Sequence, residues 1–413
     1  MRLTPGSDAF VAHLREALGT GPVGVAVSGG SDSMALLHLS VDAGIPVRAV
    51  TLDHGLRPEA AQEAAMVAGA CAGLGVHHDT LVWGRAAEGA GNLADRARRA
   101  RLRLIAEWAR QRGIGAVALG HTADDQAETV LMGLARRAGV DGLSGMATLR
   151  TAEGMVWLRP LLGVTRDELR AWLGARGIAW ADDPTNEDAA YTRVRARRAL
   201  ARLGPLGIDA AGLAEVAAHL RMARQALDVQ THDAARRIAA LDAGDAIVRR
   251  AEFAALPDEI RRRLLSHCLC WIASAEYGPR AAPLANAVAA AATGQAAVLH
   301  GCRILPAKNH FRVTREARAV ARTEGPVEAL WDGRWALSGP DSNGLTVRAL
   351  GQAGLRSCPD WRATGRPSAA LAGTPAVWRG TDLVAAPLAG LAKGWHASLA
   401  TDADTFFTRL LSH

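Results

Sequence analysis

Apolar positions in the first two hundred residues fall alternately into short continuous runs and longer stretches of helical period. Val23–Val27 reads as a buried strand, followed by a helix from about Asp32 to Ala43. Val47–Leu52 is the next strand, a helix spans Pro58–Leu74, and a third strand lies near Asp79–Trp83. A longer helix begins at Asn92, a good N-cap residue, with Leu93, Ala97, Ala100, Leu104 and Trp108 along one face. Gly115–Leu119 reads as a fourth strand and Ala123–Arg136 as the helix after it. Strands and helices in this alternation predict an α/β domain with a doubly wound parallel sheet.

The texture changes at Gly204-Pro205-Leu206-Gly207. Residues 208–300 are alanine-rich and helical in period, with charge clusters at Arg249-Arg250 and Arg261-Arg262-Arg263. Beyond about residue 325, Trp331, Trp335, Trp361, Trp378 and Trp395 sit among glycines, prolines and short apolar runs, most of them expected in a core. Pro375–Trp378 and Leu383–Ala386 flank a turn at Arg379–Asp382 and read as a hairpin. The expected organisation is an α/β domain over 1–204, an α-helical domain over 205–322 and a small β-rich domain over 323–413. A chain of 413 residues is too long for one compact core.

Composition narrows the function classes. Hydrophobic residues make up 49% and charged ones 22%, the balance of a soluble globular protein. The apolar runs are far short of a membrane span, and the N-terminus shows no secretory pattern, so a cytoplasmic location and no membrane partner are expected. Cys71, Cys268, Cys270, Cys302 and Cys358 are scattered without a C-x-x-C pair, which points away from a zinc knuckle, an iron–sulfur cluster or disulfides. Cys268 and Cys270 are expected on a helix facing the core. A net charge of +7 and a pI near 9.8 favour a polyanionic partner. The only lysines are Lys308 and Lys393, so a phosphate site in the first three hundred residues must use arginine or backbone amides.

Chemistry concentrates at the ends of the strands. Ser28-Gly29-Gly30-Ser31-Asp32-Ser33 joins the first strand to its helix. Two glycines let the backbone approach a ligand, and the helix N-terminus behind them suits phosphate. No lysine precedes the serine, so the loop is not a Walker motif. An ordinary β-to-α turn is the plain alternative. After the second strand, Asp53 and His54 in Leu52-Asp53-His54-Gly55 would sit on the ligand-binding edge of the sheet, although the same residues make good turns.

After the fourth strand comes Gly120-His121-Thr122-Ala123-Asp124-Asp125-Gln126-Ala127-Glu128-Thr129. Asp125, Glu128 and Thr129 share a helix face and could bind an amine or help hold magnesium. Alternatively, Thr122 and Asp125 form a capping box. Arg98 and Arg101 are i, i+3 neighbours away from the apolar face of the longer helix. Arg159, within Arg159-Pro160-Leu161-Leu162, and the cluster Arg193, Arg195, Arg197 and Arg198 could grip a phosphate backbone or form solvated faces.

SGGSDS after a strand resembles the signature of the PP-loop (N-type) ATP pyrophosphatases. Together with LDHGLRPEA, GHTADDQAET, GLSGM, RPLL and DDPTNEDAAYTR, it resembles the tRNA(Ile)-lysidine synthetases in particular. These motifs cover about half the chain, and PAVWRGTDLVAAPL looks like that family's last domain. The departures are Thr122 for a second histidine, Leu102 for a tyrosine, Arg137 for a glycine, and Val194 and Ala196 within an RNRIR run. They bear on the tRNA contacts rather than the ATP site.

The resemblance implies ATP with magnesium as cofactors, and free lysine and a CAU-anticodon isoleucine tRNA as substrates. It implies adenylation of the wobble cytidine at the oxygen of carbon 2, followed by attack of lysine. Ser28, Gly29, Gly30, Ser31, Asp32, Ser33, Asp53 and His54 would then bind ATP, with Asp32 orienting the loop or engaging magnesium. Arg98, at the family's position, would stabilise charge at phosphorus. Asp125 and Glu128 would hold the lysine amines, one of them accepting a proton. Arg159, Arg193 and Arg197 would contact tRNA, and a homodimer is compatible with the sequence. A PP-loop thiolase would need reactive cysteines, and only Cys71 lies in this half. An amidotransferase-type ligase would need a glutaminase motif, and none is seen. A catalytically inert RNA-binding module would not need an intact loop.

Overall fold

A computed structural model describes residues 4–19, 21–53, 55, 60–83, 93–182, 192–340 and 342–411, without the side chains of residues 60, 93–95 and 98. The chain divides into two compact units, Met1–Arg224 and Gln225–His413.

In the first unit, α1 (Asp8–Leu18), β1 (Val23–Ala26), α2 (Ser31–Asp42), β2 (Val47–Asp53) and α3 (Ala60–Gly73) follow the anticipated alternation. So do β3 (His77–Val82), α4 (Leu93–Gln111), β4 (Ala116–Leu119) and α5 (Ala123–Ala135). Asn92, the expected cap of α4, lies outside the described residues. A single turn α6 (Val140–Leu143), the hairpin β5 (Leu149–Ala152) and β6 (Met155–Leu158), α7 (Arg166–Gly174), α8 (Thr192–Leu203) and the start of α9 (Ala210–Ile238) complete the unit.

The strands form one sheet in the order β3-β2-β1-β4-β6-β5. All neighbours are parallel except β5, which pairs antiparallel with β6 at the edge. Every residue of β1 is buried, as a central strand covered on both faces requires. Phe10, Met34, Leu37, Leu169 and Trp172 fill one face, while Ile105, Trp108, Val117 and Trp157 fill the other. The chain winds from β1 outward to β3 and resumes with β4 on the opposite side of β1. A switch point therefore lies between the carboxyl ends of β1 and β4, where open α/β sheets bind their ligands.

The second unit holds the end of α9, then β7 (Ala239–Asp242), β8 (Asp245–Arg249), α10 (Arg250–Ala255), α11 (Asp258–Ala273) and α12 (Ala281–Thr293). Next come β9 (Ala297–Leu299), β10 (Cys302–Pro306) and β11 (His310–Arg315). These strands form an antiparallel sheet, β7-β8-β11-β10-β9, whose Val248, Phe311 and Val313 meet Leu264, Leu265, Cys268 and Leu284 of the helices. The helical stretch thus also carries strands that its period does not announce. β7 (Ala-Ala-Leu-Asp) holds no strong strand former and β8 only Ile247 and Val248, so the hairpin depends on the turn at Ala243 and Gly244. Both turn residues have positive φ (47° and 83°), as a tight hairpin demands.

The remaining elements are β12 (Glu324–Pro326), β13 (Trp335–Ser338), β14 (Thr346–Ala349), α13 (Gly351–Arg356), α14 (Ser368–Leu371), β15 (Pro375–Arg379), β16 (Asp382–Ala385), β17 (His396–Leu399) and α15 (Ala403–Thr408). They make a sheet β12-β14-β15-β16 and the pair β13-β17. The expected hairpin is β15–β16. Trp331, Trp335, Trp378 and Trp395 are buried core residues, and Trp361 is half-buried. Cys268 faces the core and Cys270 is partly exposed. No helix among the described residues is long and apolar enough to cross a membrane.

Candidate active site

The loop after β1 is tied by its own serines. The Ser28 amide donates to Ser33 Oγ at 3.1 Å, and Ser33 Oγ donates to the Gly30 carbonyl at 3.0 Å. Gly29 has φ 90°, a conformation that favours glycine, and Ala181 N donates to its carbonyl at 2.9 Å. α2 then begins at Ser31, with Asp32 in its first turn.

Gly120, which follows β4 on the other side of the switch point, abuts this turn. A Cβ on Gly120 would lie 2.9 Å from the Asp32 carbonyl oxygen and 3.0 Å from Ser33 Cα, both backbone. Gly120→Ala is therefore expected to destabilise the first unit by about 1–3 kcal/mol, the usual result of overpacking. Paired thermal melts and ATP-binding titrations check this, since the shift must disturb the phosphate loop as well.

A cleft of ≈ 940 Å³ opens at this point. Its wall includes Ser28, Gly30, Ser31, Asp32 and Ser33 from one loop and Gly120, His121, Asp124 and Asp125 from the other. Arg101, Arg166, Asp167, Arg170, Asp182, Arg193, Arg197 and Arg198 complete its polar lining. The N-termini of α2, α5 and α7 all reach this cleft, so their helix dipoles add to the positive field of the arginines.

Asp125 caps α5 and also lines the cleft. Its Oδ2 accepts from the Thr122 amide at 2.9 Å, capping α5, while its Oδ1 lies 3.6 Å from Arg193 Nη1. Glu128 is buried at 1% exposure and is not among the lining residues. Arg197, which does line the cleft, donates to Glu128 Oε1 at 2.9 Å, and Oε2 has no hydrogen-bond partner. Burial pushes the Glu128 carboxyl above the usual range and Arg197 pulls against it. Burial holds His121 down to about 3, opposed by Asp125 and reinforced by Arg159, Arg101 and Arg193, so the imidazole is neutral near pH 7.

Other expected residues stand elsewhere. Asp53 ends β2, one strand away from the switch point; it accepts from the Gly55 amide at 2.7 Å and does not line the cleft. His54 and the Arg98 side chain lie outside the described residues, while Arg101 lines the cleft. Arg159 is buried at 7% exposure, donates to the Ala147 carbonyl at 2.9 Å and is not among the residues lining the cleft.

Sequence reasoning passed over Arg166 and Arg170. Arg166 Nε donates to Asp32 Oδ2 at 3.0 Å, and Arg170 Nε to Ser31 Oγ at 3.3 Å. Thr165-x-x-Glu168, a capping box, marks the start of α7 and could have placed both arginines at a helix N-terminus.

A PP-loop domain model matches residues 7–203. A tRNA(Ile)-lysidine synthase from Ruegeria pomeroyi is 52% identical over the full length of both chains. The chain belongs to the tRNA(Ile)-lysidine synthase family. Another member, from Hyphomonas neptunium, is 38% identical over 74% of this chain and 84% of its own. Among solved structures, a U34-tRNA thiolase from Methanococcus maripaludis covers 51% of this chain and 76% of its own at 16% identity, with a TM-score of 0.43. Family membership makes the chain an ATP-dependent ligase of tRNA modification.

Proposed function

We propose that the cleft of the first unit carries out both half-reactions of lysidine synthesis on a CAU-anticodon isoleucine tRNA. In the first, the oxygen on carbon 2 of the wobble cytidine attacks the α-phosphorus of ATP, and the bond to pyrophosphate breaks. In the second, the side-chain amine of free lysine attacks carbon 2, and AMP leaves with that oxygen. The attacking amine gives up a proton to a carboxylate. The observation that carries this reading is the meeting, in one cleft, of the Ser28–Ser33 loop with the acidic turn of α5.

Asp125 and Glu128 are the lysine carboxylates in this reading. Asp125 faces the ammonium directly, and the upward-shifted carboxyl of Glu128, buried behind Arg197 with Oε2 unpartnered, suits a proton acceptor that is reached once Arg197 turns toward tRNA. Magnesium takes one or two protein carboxylates and completes its shell with phosphate oxygens and water. Asp32, partly buried at the loop, would hold the ion that accompanies ATP. Arg193 and Arg197 present the tRNA-facing charge, and Arg98 remains the family-position candidate for charge at phosphorus. ATP, lysine and tRNA meet in the cytoplasm, where we place the enzyme. A cysteine-dependent thiolase is disfavoured, because Cys71 is buried and its thiol is pushed up to about 11.

Incubation with labelled ATP, lysine and the tRNA should yield AMP, pyrophosphate and lysine in the wobble nucleoside. Absence of lysine from that nucleoside would sink the reading. Glu128→Gln and Asp125→Asn keep the shape of each side chain, and Asn can still cap α5. Both are expected to spare pyrophosphate release and to slow lysine transfer by about 10²-fold, the usual range for a lost general base. An unchanged lysine KM and transfer rate would make both groups structural.

A further inference from the structure

Arg166 and Arg170 lie one helical turn apart at the start of α7 and reach the two residues at the tip of the phosphate loop. Arg166 is paired with Asp32, the two side chains being 18% and 17% exposed. Its backbone amide donates to Asp124 Oδ2 at 2.7 Å, which fixes the first residue of α7 against α5. The Ala123 amide donates to the Val164 carbonyl at 2.8 Å and makes the same junction rigid. Arg170 also reaches Asp182, with Nη2–Oδ1 at 2.7 Å. Both arginines line the cleft, and no lysine precedes Lys308 to serve the phosphates instead.

We propose that Arg166, assisted by Arg170, is the cation that receives the leaving pyrophosphate, and that the Asp32–Arg166 pair is its resting position. The proposal rests on the reading of this cleft as the adenylation site. When the cytidine oxygen forms its bond to the α-phosphorus, the electron pair of the breaking P–O bond passes to pyrophosphate. Negative charge grows on that group during the step, and a guanidinium already held at the loop stabilises it without reorganising solvent. Arginine suits the task because its planar fork can donate two bonds to one phosphate. Exchanging a carboxylate partner for phosphate oxygens keeps the buried guanidinium compensated throughout, so moving between the two partners carries little penalty. Arg170 stays near Ser31 and adds a second donor set one turn away.

The test uses the full-length chain with ATP and CAU-anticodon tRNA, following pyrophosphate release with added inorganic pyrophosphate as product inhibitor. Arg166→Met is expected to lower kcat for release about 10²-fold and to weaken inhibition by pyrophosphate at least tenfold. Arg166→Lys should recover part of both effects, because it restores charge but not the fork. Arg170→Met should show a smaller change in the same direction. If Arg166→Met releases pyrophosphate and is inhibited like the wild type, the proposal falls and the adenylation site stands. If Arg166→Met and Arg166→Lys are equally impaired while inhibition of the residual activity is unchanged, Arg166 only positions Asp32, and the proposal also falls. If the wild type itself releases no pyrophosphate, the reading of the cleft fails and takes the proposal with it.

Discussion

Asp32→Asn is expected to cut pyrophosphate release by about 10²–10³-fold, the range seen when one group that meets developing charge is removed. Asp32 stands in the first turn of α2, accepts from Ser31 Oγ at 3.0 Å and from Arg166 Nε at 3.0 Å, and lines the cleft. Burial holds its carboxyl above the usual range, while Arg166 and Ser31 pull it down. A folded-state pKa above the unfolded value means that the ionised form subtracts from stability once the pH exceeds it. A carboxylate held in a cleft at such a cost is a candidate for chemistry. The neutral asparagine has the same shape and leaves Arg166 near Asp124 and Asp125. Its melting temperature should therefore match the wild type within a few degrees while AMP formation collapses. Normal AMP formation by the folded variant would remove Asp32 from the mechanism. Asp32→Ala is a poorer test, because stripping one partner from a buried pair can itself destabilise by about 3–5 kcal/mol.

The parts of this site legible in the sequence are those whose signal is local. A continuous apolar run marks β1, the glycines mark the loop, and the Thr122–Asp125 spacing marks the start of α5. For Asp125 the two readings were not exclusive, since one oxygen caps the helix and the other faces the cleft. What local pattern cannot carry is the pairing of distant side chains. Asp32 meets Arg166 across 134 positions, and Glu128 meets Arg197 across 69. No periodicity encodes either contact. Arg159 shows the same limit, because an arginine after a strand looks solvent-facing, whereas here it is buried and donates to the Ala147 carbonyl. The strands β7 and β8 were hidden for a thermodynamic reason. Alanine-rich segments prefer helix when isolated, and here pairing with β11 and the packing of Ala246 and Val248 in the core override that preference.

Truncation after residue 320 is expected to leave ATP binding by the first unit intact and to weaken tRNA binding. The sequence alone suggests that such a cut removes a β-rich segment that helps bind tRNA and spares the helical stretch before it. The packing of the second unit predicts more damage. Phe406 of α15 is fully buried in the core formed by α11 and the five-stranded sheet, 5.5 Å from the Trp271 ring and 4.7 Å from His267. Arg334 donates to the carbonyls of Ile272 at 2.9 Å and Gly244 at 2.6 Å, and Arg366 reaches Asp242 at 2.8 Å. All of these residues would be lost or orphaned by the cut. Losing a buried phenylalanine alone removes about 3–5 kcal/mol. That is a large share of the roughly 5–15 kcal/mol that holds a domain together. Residues 225–320 should therefore unfold with the deletion, visible as the loss of one melting transition and early proteolysis of that stretch. If the second unit supplies phosphate contacts to tRNA, the salt dependence of binding should flatten as well. The slope of log K against log salt should fall by about 0.7–0.9 for each contact removed. A truncated protein that keeps both melting transitions would show that residues 225–320 fold alone. One that binds tRNA with an unchanged salt slope would confine recognition to the part that remains.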